Sequence, residues 1–262
     1  LITLYLKKDN LIPIYRKLTR VYISFKQKKV YDKRSIKFSQ EFKSNNEDIQ
    51  YIEGVINQKS KNKINITYIG NSIALSLPSN NNIWENNWGM AASNYENAYP
   101  QLLARKISQK YNYKVNFSIY NLSSIALRRS YPKKILNKII QENPDIFIVQ
   151  LGDNALRKDI NIFKNDLTKF LKKFPNYKCP ILATPFYPDE IKNEAFVDIS
   201  SELNFFLVDL SNIISVADVP IKVLAKYEKN YTDPGVNAHP GDYGMSKIAN
   251  QIFPIVNKCL NN

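Results

Sequence analysis

Histidine occurs once in the 262 residues, as His239, and cysteine twice, as Cys179 and Cys259. A single imidazole excludes every metal site or proton relay that needs two. It also leaves His239 as the one side chain whose ordinary pKa suits it to act as a base near neutral pH. Two cysteines exclude a four-thiolate zinc site and a disulfide-dense scaffold. Their separation in sequence does not decide the redox compartment. With only 7 glycines, no glycine-rich dinucleotide fingerprint and no Gly-x-x-x-x-Gly-Lys phosphate loop can be found. No run reaches the ~18 apolar residues of a membrane-spanning helix. Arginine is also scarce: of 37 Lys and Arg, only Arg16, Arg20, Arg34, Arg105, Arg128, Arg129 and Arg157 are Arg. The net charge of +14 is therefore mainly lysine. Bidentate phosphate and base contacts favour Arg, so the charge reads as a solvated exterior and not as a specific nucleic-acid surface.

What remains is the composition of a folded protein. A hydrophobic fraction of 44% and an aromatic fraction of 12% are enough for a substantial core. Residues 1–50 have a different texture, rich in Lys and Tyr, and read as an N-terminal extension or part of a neighbouring element. Within them Leu1 to Leu6 and Val21 to Phe25 alternate loosely as strands do, and 43–48 reads as a linker. The chain opens on Leu1 and not Met, as a processed or trimmed chain would. Leu1 to Leu6, followed by Lys7 and Lys8, fits the remnant of a longer apolar segment, which would allow membrane association, or a short strand.

From residue 51 to 262 strands and helices alternate. Strands are expected at 64–70, 115–120, 145–151, 180–184 and 205–209. Helices are expected at 99–111, 131–143, around 160–174 and at 244–256, the last bent at Pro254. Such alternation implies an α/β fold, three layers deep, with a mostly parallel, flavodoxin-like sheet. Sites in these sheets form at the carboxyl ends of strands.

Three strand ends or late loops stand out: Gly70-Asn71-Ser72, Gly152-Asp153-Asn154, and Asn237-Ala238-His239-Pro240. Together they supply a hydroxyl, an amide and an imidazole, the parts of serine acyl transfer. Each also has a plainer explanation, as a helix cap, a turn or a helix start. Gly70-Asn71-Ser72-Ile73-Ala74 is not the Gly-x-Ser-x-Gly elbow.

The set resembles the SGNH hydrolase superfamily, the GDSL-like esterases. Gly70-Asn71-Ser72-Ile73 resembles the first block, Gly152-Asp153-Asn154 the third, and His239-Pro240 with Gly244-Met245 the last. Trp88-Gly89-Met90-Ala91-Ala92-Ser93 resembles a stretch found in one bacterial, carbohydrate-esterase-like branch. The resemblance spans about residues 60–258. It implies Ser72 as nucleophile, His239 as base and Asn154 as oxyanion donor, supported by Gly152 and by the region of Ser123 and Ser124. Where the superfamily often has an Asp three residues before the His, this sequence has Val236. Asp233, Asp242 or a backbone carbonyl are the alternatives for orienting His239, and a Ser–His dyad is expected. The second block usually contains a Gly, which Asn121 to Ala126 lacks.

The resemblance implies ester hydrolysis, with neither cofactor nor metal. The expected substrate is an acylated glycan or small ester, an O-acetyl group foremost. Trp84 and Trp88 lie in the stretch after Ser72, where aromatic faces suit sugar rings, or where Trp88 anchors the loop. The alternatives are an O-acyltransferase on the same scaffold and a glycan-binding domain without efficient chemistry. An extracytoplasmic location, periplasmic or cell-envelope, is expected. The activity is expected to rise near pH ~6.5, the ordinary value of an imidazole.

Overall fold

The computed structural model describes residues 50–76, 78, 84–127, 133–174, 178–213 and 233–261. The expected N-terminal extension, with its two loose strands and its linker, lies outside the described residues.

The described residues form a six-stranded sheet in the order β1-β3-β2-β4-β5-β6. Its strands are β1 (Gln50–Ile56), β2 (Lys63–Gly70), β3 (Lys114–Asn121), β4 (Ile146–Gln150), β5 (Pro180–Ala183) and β6 (Phe206–Val208). β2 to β6 run parallel, and β1 pairs antiparallel with β3 at the edge. The helices are α1 (Tyr99–Tyr111), α2 (Ser123–Ala126), α3 (Lys133–Glu142), α4 (Ile160–Leu171), α5 (Glu190–Leu203), α6 (Pro234–Asn237) and α7 (Asp242–Asn261).

The central strands β2, β4 and β5 are largely apolar on both faces because each face is covered. Ile66 and Tyr68 of β2, Ile146 and Ile148 of β4 and Ile181 of β5 point to one side. There they meet Leu103 and Ile107 of α1 and Ile248, Ile252 and Val256 of α7. The alternate residues Ile69, Phe147, Val149 and Leu182 meet Ile139 of α3, Phe163 and Phe170 of α4 and Phe196 of α5. This is the expected three-layer α/β/α arrangement. α7 runs through Pro254 to Asn261, longer than the expected 244–256. Four elements, β1, α2, α5 and α6, fall where no strand or helix was expected. Cys179, just before β5, is disulfide-bonded to Cys259 in the last turn of α7, with Cα atoms 5.9 Å apart.

β2 is the hinge of the topology. β3 lies on one side of it and β4 on the other, so the chain changes direction across the sheet there. The crevice at such a switch point opens at the carboxyl ends of the strands. Ser72 follows β2 and Asn154 follows β4.

Candidate active site

The chain leaves β2 in a tight turn. The Asn71 carbonyl accepts from the N–H groups of Ala74 and Leu75, each at 3.0 Å. The turn folds Ala74 back onto Gly70, where an added Cβ would lie 2.5 Å from the Ala74 Cβ. Only glycine fits at that approach. Ser72 is thereby lifted out of the strand and half-exposed, while Asn71 and Ile73 on either side are buried.

His239 comes from the other end of the chain. It sits on the turn after α6, with its N–H donating to the Val236 carbonyl (2.9 Å). The imidazole Nδ1 faces the Gly235 carbonyl at 2.8 Å, and Nε2 faces Ser72 Oγ at 2.7 Å. A carbonyl can only accept, so Nδ1 carries the proton. Nε2 of the neutral ring is then the acceptor for the Ser72 hydroxyl. Burial pushes the His239 pKa down to about 4, against the smaller upward pull of the Gly235 and Val236 backbone and of Asp233. Desolvation disfavours the imidazolium more than these groups stabilise it. The expected rise near pH ~6.5 therefore moves to lower pH.

Neither acidic residue considered for orienting His239 bonds to it. Asp233 Oδ1 accepts from the N–H groups of Gly235 (2.7 Å) and Val236 (3.0 Å), capping α6. Asp242 accepts from the Ser93 N–H (2.8 Å), Ser93 Oγ (2.6 Å) and Asn97 Nδ2 (2.9 Å). The orienting group is the Gly235 carbonyl. Val236 is fully buried and packs with Trp84, Met90 and Ala91, an environment in which a carboxylate would be costly.

The two tryptophans divide. Trp84 is 1% exposed, so it is core and not a sugar platform. Its Nε1 donates to the Ser76 carbonyl (3.0 Å), and it meets Trp88 edge-on with centroids 6.0 Å apart. Trp88 is half-buried, its Nε1 donating to the Ala92 carbonyl (2.9 Å). The segment carrying them is stitched to the Ser72 turn, Met90 N–H donating to the Ser72 carbonyl (2.8 Å) and Ser76 N–H to the Trp88 carbonyl (2.9 Å). It thus braces both the Ser72 turn and, through Val236, the His239 turn.

Of the expected oxyanion donors, Ser123 is spent: its N–H donates to Asn121 Oδ1 (3.1 Å). Ser124 lies in the first turn of α2, whose N–H groups have no partner within the helix. Asn154 rides on a turn closed by the Ala155 N–H donating to the Gly152 carbonyl (3.0 Å). Gly152 has φ +97, a conformation other residues rarely adopt. The Asn154 Oδ1 is buried without a hydrogen-bond partner among the described residues. Lys192 of α5 is buried and reaches this turn, its Nζ donating to the carbonyls of Gly152 (2.8 Å) and Asp153 (3.0 Å). Sequence reasoning missed Lys192 and gave Asp153, part of the Gly152-Asp153-Asn154 block, no role of its own. A lysine at a helix start and an Asp in a turn are ordinary surface residues until the fold buries them.

No family model and no curated protein matches the chain. Solved structures do. A family 3 carbohydrate esterase of Clostridium thermocellum is 18% identical with a TM-score of 0.54, the match covering 76% of this chain and 98% of that one. A GDSL-like lipase of Parabacteroides merdae is 19% identical with a TM-score of 0.52, covering 76% and 98%. A lipase/acylhydrolase of Enterococcus faecalis is 15% identical with a TM-score of 0.50, covering 74% and 96%. The chain has the fold of the GDSL-like, or SGNH, hydrolases.

Proposed function

We propose that residues 51–262 form a serine esterase that removes O-acyl groups, O-acetyl foremost, from a glycan, with Ser72 as nucleophile and His239 as base. The observation that carries this is the 2.7 Å contact between Ser72 Oγ and an imidazole nitrogen whose ring partner is fixed by a carbonyl. A hydroxyl becomes a competent nucleophile when a positioned base takes its proton. Here the carbonyl of Gly235 does the orienting that a carboxylate does in a triad. The carbohydrate-esterase fold likeness supports a glycan ester as substrate.

In the first half-reaction the Ser72 oxygen attacks the ester carbonyl carbon as its proton passes to Nε2. The oxyanion meets donors, for which the Ser72 N–H, the Ser124 N–H and the Asn154 side-chain amide are the candidates. The C–O bond to the sugar breaks, and His239 returns the proton to the departing alcohol oxygen. Water then attacks the acyl-serine by the same route and frees the acid. Trp88, half-buried in the segment tied to the Ser72 turn, is the candidate wall for the sugar, with Trp84 edge-on to it.

The test is hydrolysis of p-nitrophenyl acetate by the wild type, Ser72→Ala and His239→Ala, with acetate release from acetylated xylan or peptidoglycan alongside. Both variants are expected to lose at least about 10³-fold in kcat. Undiminished turnover in either one refutes the assignment. Mass spectrometry of the glycan products separates transfer to a sugar acceptor from hydrolysis.

A further inference from the structure

Asp153 sits beside the proposed oxyanion turn and is 4% exposed. Both its oxygens are filled by donors from three segments. Oδ2 accepts from Asn71 Nδ2 (2.8 Å), next to the nucleophile, and from Gln150 Nε2 (2.7 Å), at the end of β4. Oδ1 accepts from the N–H groups of Phe186 (2.9 Å) and Tyr187 (3.4 Å), in the loop after β5. Tyr187 in turn donates its hydroxyl to the carbonyl of Ala238, the neighbour of His239. One carboxylate therefore has a link toward each member of the Ser72–His239 pair.

The link toward Ser72 has a fixed polarity. Asn71 Oδ1 accepts from the Ile73 N–H (2.9 Å), closing the turn around Ser72. Its Nδ2 must then face Asp153, and the amide cannot rotate without losing the Ile73 bond. Gln150 has no such constraint on its oxygen, for Oε1 has no partner among the described residues. Removing the acceptor at 153 thus falls first on the turn that presents the nucleophile.

Resting on the assignment of Ser72 as nucleophile, we infer that Asp153 is a positioning residue: its carboxylate sets the turn of Ser72 through the Asn71 amide, and the amide at 71 and carboxylate at 153 form a donor–acceptor pair that can be exchanged. The charged and titratable groups facing this pair are Lys192 of α5, Tyr99 of α1 and Tyr187. Burial pushes the Asp153 carboxyl up, and Lys192, Asn71, Gln150 and the Tyr187 backbone pull it down.

The test compares Asp153→Asn, Asn71→Asp and the double exchange, in the full chain, by kcat and KM on p-nitrophenyl acetate. Proton NMR titration of His239, the only imidazole, adds a readout independent of turnover. In D153N an NH₂ group faces Asn71 Nδ2, donor against donor. The Ser72 turn shifts, kcat falls about 10²-fold and KM stays within about twofold. The imidazole, deprived of the Ser72 hydroxyl, titrates at higher pH. In N71D two carboxylates share the contact and need one proton between them. Its activity falls as pH rises through that proton's pKa, a slope opposite to that of the base. The double exchange restores donor and acceptor with Gln150 turning its Oε1 inward. Its kcat returns to within about tenfold of wild type, an incomplete recovery expected of a rebuilt buried network, and its imidazole titration returns with it.

Wild-type kcat and wild-type titration in D153N overturn the inference, as does a folded double variant no better than D153N. If D153N does not fold, N71D decides, and pH-independent activity in it is the overturning result. A wild type that hydrolyses no ester defeats the esterase reading alone, because the imidazole titration still tests Asp153.

Discussion

The acid limb of the activity profile tests the site most sharply. In the proposed dyad the neutral imidazole is the active form of the base, so kcat/KM is expected to rise with pH through the pKa of His239 in the free enzyme. That pKa is pushed down to about 4 from an ordinary 6.5 by burial. At pH 5 such a ring is still about nine-tenths neutral, while an unperturbed one is only about 3% neutral, roughly a 30-fold difference in rate. The same shift acts on stability. A base whose folded pKa lies below its unfolded value contributes stability that is fully present above the unfolded pKa, near 6.5. That contribution is lost as pH falls toward about 4. The full difference is about 3 kcal/mol. Hydrolysis of p-nitrophenyl acetate is measured from pH 3.5 to 8 with an alkaline quench to read the product. Urea unfolding of wild type and His239→Asn over the same range isolates the imidazole, because every other group titrates in both. The expected result is a half-maximal rate near pH 4 and a stability difference between the two proteins that shrinks from pH ~6.5 downward. A limb centred between pH 6 and 7 would refute the buried, carbonyl-held imidazole and with it the dyad.

Two further outcomes follow from the packing. Val236→Asp, which places a carboxylate three residues before His239, puts it against Trp84, Met90 and Ala91. It is expected to destabilise the fold by about 2–4 kcal/mol with no gain in kcat, read by thermal unfolding and ester hydrolysis; an increase in kcat would show that the carboxylate reaches the imidazole. Replacing Cys179 and Cys259 together by Ser opens a loop with a sequence separation of 80, which the chain-entropy model values at about 4–5 kcal/mol. Denaturant midpoints with and without reductant check it, and an unchanged midpoint would contradict the pairing.

The central strands β2, β4 and β5 were legible as short, mostly apolar runs buried on both faces, and β3 by the alternation of Val115, Phe117 and Ile119 with polar residues. The edge strand β1 was not. Gly54 interrupts its apolar sequence, and glycine weakens a strand signal. α5 was hidden for another reason: Ile191 and Val197 are exposed, which blurs the stripe made by Ala195, Phe196 and Ile199. Its start did carry a signal, Asp189, whose side chain accepts from the Lys192 N–H. In the site, the meeting of Ser72 with His239 was legible by residue type and position, since the chain has one histidine. A backbone carbonyl was among the alternatives for facing Nδ1, but which one was not legible, because any residue supplies a carbonyl and Gly235 bears no mark of this use. Trp84 illustrates the converse. Its residue type suits a sugar face, but the Ser76 carbonyl satisfies its indole N–H inside the core, and nothing in the local sequence announces that.

The disulfide divides the chain in a way the active site does not. His239 lies inside the covalent loop between Cys179 and Cys259, and Ser72 lies outside it. A single proteolytic cut between Cys179 and His239 leaves Ser72 and His239 on two polypeptides that remain one covalent molecule. Such a nicked protein would migrate as one band without reductant and as two with it. Reduction, harmless to Ser72 and His239 themselves, would then allow the two to part. The redox state of the surroundings thus sets how long a damaged copy keeps its site assembled.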